Sequence, residues 1–199
     1  MIENLKRAIV QAIRENIKGY ILIAGVFLAG MILSYILNIS SGAQEEIKLY
    51  LNDFISTVKD YSTDSAKTFS IAMGSYFKLY LMLFLMSVSA IGSVCILALI
   101  FVKGFSYGVV FTSVFSMMGS KSILLFFCVI FPHILILIPF FSAYSLFCLK
   151  NSYGILKGSK SLKNNVFLPL IYAGVCVVFS GVAALIQAYL EPILIRVII

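Results

Sequence analysis

The chain has 199 residues, of which 61% are hydrophobic and 12% charged, with a mean hydropathy of +1.06 and a formal net charge of +7. A soluble domain is about half apolar and a quarter charged; a soluble 22 kDa fold has no core large enough for this much apolar surface, so the excess faces lipid. The composition excludes a soluble enzyme, a secreted disulfide scaffold and a disordered tail, and it predicts an all-α, polytopic integral membrane protein forming a single membrane domain over 1–199.

Residues 1–18 place Ile2, Leu5, Ile9, Ile13 and Ile17 on one helical stripe, with Lys6, Arg7, Arg14, Glu15 and Lys18 between them. That pattern predicts a cytoplasmic amphipathic helix, lying along the membrane or packed on the ends of the spans. No charge occurs from Gly19 to Ala43, and 20–37 reads as the first span. Ser41-Gly42-Ala43 has the form of a cleavage site. The positive region and apolar run before it are both too long for a signal peptide, so the segment is expected to be a retained anchor.

Residues 38–77 are the one long polar segment, with Glu45, Glu46, Asp53, Asp60 and Asp64 against Lys48, Lys59 and Lys67. Ile47, Leu51, Phe54, Ile55 and Val58 recur at helical spacing and predict an amphipathic loop helix. Asp60 to Ser65 supplies turn residues and a Ser or Asp N-cap for the next helix. Lys78 and Lys103 then bracket 24 uncharged residues, a second span over 79–102. Lys103 and Lys121 bracket 17, a short third span over 104–120, and Lys121 and Lys150 bracket 28, a fourth over 122–149 interrupted by Pro132 and Pro139. The loop over 150–163 carries Lys150, Lys157, Lys160 and Lys163 and no acid. A fifth span over 166–190 ends at Glu191-Pro192, leaving a tail over 191–199. Five spans put the basic N-terminus and the basic loop in the cytoplasm and the acidic segment and the C-terminus outside, as the positive-inside rule asks. Six spans, or a re-entrant segment at Pro132–Pro139, is the alternative.

The basic residues stand singly at the ends of apolar runs, which argues against a nucleic-acid partner. Cys95, Cys128, Cys148 and Cys176 lie in apolar stretches without C-x-x-C spacing and read as free buried thiols. No predicted span holds an Asp or Glu, His133 is the only histidine, and no phosphate-binding loop occurs, so neither a catalytic residue nor a metal or cofactor is expected. The acids of the outer segment read as a solvated face rather than a glycosidase pair.

Packing signals are richer. Gly104, Gly108, Thr112, Ser116 and Ser120 recur every four residues and form a small-residue stripe that lets another helix approach closely, either a span of the same chain or one of a second copy in a homo-oligomer. Gly25-x-x-x-Ala29, and Ser180, Ala184 and Ala188, suggest further close contacts. In Phe131-Pro132-His133…Pro139 each proline removes a donor and frees a carbonyl, which predicts a kink or a break in the helix. His133 beside it either satisfies a released carbonyl or lines a wet cavity.

At these residues the chain resembles the stage II sporulation protein M family. The resemblance runs over nearly the whole chain. It includes the basic amphipathic start, Leu51-Asn52-Asp53-Phe54, Gly92, Lys103-Gly104-x-x-x-Gly108, Pro132…Pro139 and Ile186…Tyr189-Leu190-Glu191-Pro192-Ile193-Leu194. Relatives in the wider family carry Pro-His-Gly followed by an acid, where this chain has Ile134 and Leu137, and an asparagine before the second span is replaced near Tyr76. The resemblance implies a non-enzymatic anchor in the septal and mother-cell membrane that localises two peptidoglycan hydrolases, stage II sporulation proteins D and P, during forespore engulfment. Tyr50, Phe54 and Tyr61 of the outer segment are candidate partner contacts, since aromatics anchor interfaces. Two rivals stand beside this reading. One is a channel or permease-like subunit with a pathway at the Pro132–Pro139 break. The other is a lipid-handling regulator whose Lys6, Arg7, Arg14 and Lys18 bind anionic lipid.

Overall fold

The computed structural model of the chain describes residues 14, 16–40, 49, 64–118, 131–158 and 167–198. These form α1 (Ile17–Ser40), α2 (Ser65–Ser87), α3 (Gly92–Met118), α4 (Phe131–Leu156), α5 (Phe167–Leu185), a π-turn (Ile186–Leu190) and α6 (Glu191–Ile198). Among the described residues, five helices are long and apolar enough to cross a membrane, the fifth running from Phe167 to Leu194. The expected amphipathic helix over 1–18 and the helix of the acidic segment lie almost wholly outside the described residues.

Successive helices run up and down. Phe27 meets Gly104 and Met31 meets Gly108, so α1 and α3 are parallel. Tyr80 stacks edge-on against Tyr144 at 5.6 Å while Ser87 pairs with Asn151, so α2 and α4 are parallel. The Tyr144 hydroxyl donates to the Pro169 carbonyl and Phe140 stacks on Phe179 at 4.3 Å, which makes α5 antiparallel to α4. One end of the bundle therefore gathers Asn16, Ser87, Gly92 and Lys150, whose ammonium donates to the Asn16 side chain. Its interior is filled by Tyr80, Leu83, Ile96, Ile100, Tyr144 and Cys148, all essentially inaccessible. Ile21, Ile32, Leu85, Val102 and Val178 stand exposed on the rim, the inside-out arrangement that lipid permits and water does not.

The second and third spans lie elsewhere than the lysine spacing predicts. The stretch expected as one span over 79–102 contains a turn at residues 88–91, and α2 begins at Ser65, inside the expected loop. The turn runs through Val88-Ser89-Ala90-Ile91: the Ser89 amide donates to the Met86 carbonyl at 3.2 Å and the Gly92 amide to Ser89 at 3.1 Å. A Cβ at Gly92 would strike the Met86 carbonyl, so glycine is required there. The Ser152 hydroxyl clamps the turn by donating to the Ser89 carbonyl at 2.7 Å. Lys78 and Lys103, expected at membrane borders, consequently stand in mid-helix. The N-cap of α2 is Asp64, whose carboxylate accepts from the Ala66 and Lys67 amides at 3.0 and 3.2 Å.

Of the kink or break expected at Pro132–Pro139, the break does not occur. Pro132 is the second residue of α4, where its missing N–H has no intrahelical partner to lose. Pro139 sits inside α4, which continues through it rather than breaking. Glu191-Pro192 does not end the fifth helix either. The Glu191 amide donates to Ile186, five residues back, and this wide turn lets the chain carry Pro192 without its ring striking a carbonyl of a regular α-turn.

Candidate functional site

The closest helix pair is α1 with α3, and it is built on absent side chains. A methyl on Gly104 would run into the Phe27 carbonyl, and one on Gly30 into the backbone of Phe101 and Phe105. Gly108 lies against Met31 and Ser34, and buried Thr112 donates to the Gly108 carbonyl at 2.8 Å. Three of the stripe's members thus face a helix of the same chain. Ser116 is exposed and bonds back to the Ser113 carbonyl. Gly25 and Ala29, expected to pack, are exposed, and a Cβ at Gly25 would meet nothing. The contact on α1 runs instead through Phe27, Gly30, Met31 and Ser34, one face round from Gly25-x-x-x-Ala29. Ser180, Ala184 and Ala188 are buried as their spacing predicts.

The other three spans are joined by polar side chains at depth. The Ser180 hydroxyl donates to Tyr80 at 2.8 Å, the Tyr76 hydroxyl to the Gln187 side chain at 3.0 Å, and the Asn151 amide to the Ser87 carbonyl and hydroxyl at 3.2 and 3.1 Å. The Gln187 bond starts from the π-turn, whose extra residue carries Gln187 round to face α2. Glu191, one turn on, lies within electrostatic reach of the Tyr76 and Tyr107 phenols. Lys103 reaches the same region from α3, where it borders a cavity of about 20 Å³ with Tyr76, Tyr107, Leu137 and Ile138. That volume holds about one water. Sequence reasoning missed this layer because it took Lys103 and Glu191 for end markers; the Tyr76, Lys103, Tyr107 and Gln187 combination was the available signal.

The Pro139 segment closes one wall of that cavity. Ser142, one turn on, donates to the Ile138 and Pro139 carbonyls at 2.8 and 3.2 Å. Pro132 and His133 open the same helix, and the His133 side chain lies outside what the structure describes. Tyr50, Phe54 and Tyr61 are likewise outside the described residues. Among the described residues no three of His, Cys, Asp or Glu come close enough to hold a metal ion. Cys148 and Cys176 are buried free thiols and Cys95 an exposed one.

Lys78 stands apart from all of this. It is exposed on α2, on the side opposite Ala72, Tyr76, Leu79 and Leu83. It lies nine residues before Ser87 and eleven after Lys67, which at 1.5 Å per residue puts it about 13 and 16 Å from the polar ends of its helix. A lysine at the centre of a span costs about 2.5–3.5 kcal/mol on insertion scales, and such residues mark function by default.

No curated protein and no solved structure matches the chain. The family model described as stage II sporulation protein M matches residues 23–192, from the first span to the proline that follows the π-turn. The match takes in Gly92 of the α2–α3 turn, Gly104 and Gly108 of the seam and Pro132 and Pro139 of α4. The chain belongs to the stage II sporulation protein M family and is a sporulation-related integral membrane protein.

Proposed function

We propose that the protein is a non-enzymatic membrane anchor that recruits and localises the peptidoglycan hydrolases, stage II sporulation proteins D and P, during forespore engulfment. The observation that carries the reading is the continuity of α4 through Pro139, with only a small space beside Leu137, Ile138 and Phe141. Where a pathway would need α4 to open, the helix is continuous and the space beside it takes about one water. A tightly joined bundle is what a platform needs, because it presents its surfaces and loops in fixed positions. The basic end of the bundle, with Arg14, Lys18, Lys150 and Lys157, belongs in the cytoplasm. The acidic segment between α1 and α2 then faces the wall in the septal and mother-cell membrane, with Tyr50, Phe54 and Tyr61 as its contact residues, and the C-terminus lies on the same side.

Lys103 beside the cavity favours one second reading, a channel or permease-like subunit that opens at Pro139. Full-length protein in lipid nanodiscs, titrated with each purified hydrolase, separates the two. Saturable binding of at least one hydrolase is the expected result. Binding of neither, with ion or solute flux from liposomes carrying the protein, contradicts the anchor and favours transport.

A further inference from the structure

We propose that the outward face of α2 around Lys78 is a docking surface for a transmembrane helix of another membrane protein, one that carries a carboxylate at mid-depth. Ile71, Gly74, Lys78, Met82 and Leu85 fall three and four residues apart and form a single stripe. The stripe points away from the bundle: Ile71 is 62% exposed, Met82 54% and Leu85 61%, and a Cβ at Gly74 would meet nothing. Lys78 makes no hydrogen bond or ion pair among the described residues. Gly74, one turn away, leaves a gap into which a neighbouring helix fits close to the ammonium.

Charge and depth choose the occupant. A lipid headgroup is too far, because the polar ends of α2 lie about 13 and 16 Å away along the axis, beyond the reach of a lysine side chain. A second copy of this face would bring lysine against lysine. Among the described residues the chain's own carboxylates are Asp64, which caps α2, and Glu191, which lies near the Tyr76 and Tyr107 phenols inside the bundle; the other six fall in the polar stretches of the sequence before α2, outside the apolar runs. What remains is an Asp or Glu on a foreign span, whose opposite charge offsets part of the cost that each group meets alone in a low dielectric. Lys78 carries this inference whether or not the foreign protein is a hydrolase.

The test places a benzoylphenylalanine photo-crosslinker at Met82 in the full-length protein, in membranes of sporulating cells, with crosslinked peptides read by mass spectrometry. The expected adduct is to an apolar helix of a second membrane protein that contains Asp or Glu. Its yield falls at least fivefold in Lys78→Met and stays within twofold in Lys78→Arg, while Lys78→Met remains monodisperse in detergent. Adducts to lipid alone, to a second copy of this chain, or to a helix without an acid overturn the proposal. So does an adduct whose yield is the same in Lys78→Met.

Discussion

The α1–α3 seam and the α2–α4–α5 cluster solve one problem in two ways. Lipid tails give apolar helices no hydrophobic reason to associate, so contact must come from close packing or from hydrogen bonds. The seam uses packing: Gly30, Gly104 and Gly108 bring two backbones together. The cluster uses bulk and polarity: Tyr76, Tyr80, Tyr144 and Asn151 fill the space between helices held farther apart and bond across it. A seam built on missing atoms fails when atoms are added, whereas a cluster built on hydrogen bonds fails when they are removed.

Substitutions sharpen that contrast. Gly104→Leu has the larger effect, because the added side chain meets the Phe27 backbone, which cannot yield as a rotamer does. A loss of about 3 kcal/mol, at the upper end of overpacking costs, is expected. It is read as a fall in thermal stability in detergent, and Gly25→Leu on the exposed face of the same α1–α3 pair stays within about 0.5 kcal/mol of the parent. A seam that tolerated both equally would not be a backbone contact. Tyr80→Phe has the smaller effect. It strips the acceptor from Ser180 and keeps the ring, so a loss of about 0.6–1 kcal/mol is expected in the same assay. A loss as large as that of Gly104→Leu would mean that the phenol does more than bond one serine.

The seam was legible from the α3 side of the sequence, because small residues every four positions have few other uses in a span. Its α1 side was not: Gly25-x-x-x-Ala29 and Gly30 are both plausible on spacing, and only the partner's position decides which face turns inward. The number of spans followed from apolar length. Their placement did not, because charge was used as a ruler. Lysines mark membrane borders only when nothing inside the bundle or beside it uses them, and Lys103 and Lys78 break that rule in turn. Ser87-Val88-Ser89-Ala90-Ile91-Gly92 held the better signal, two serines and an alanine before a glycine where no side chain fits. The prolines misled for a related reason. Pro132 opens a helix, Pro139 is carried within one, and a π-turn before Pro192 makes room for the third.

The measurement that bears most directly on the anchor is membrane-stain microscopy of sporulating cells lacking this gene, with the D-type and P-type hydrolases fluorescently tagged. The account predicts arrest at a flat or bulging septum with both hydrolases dispersed. Arrest with both hydrolases correctly placed, or normal engulfment, would contradict it.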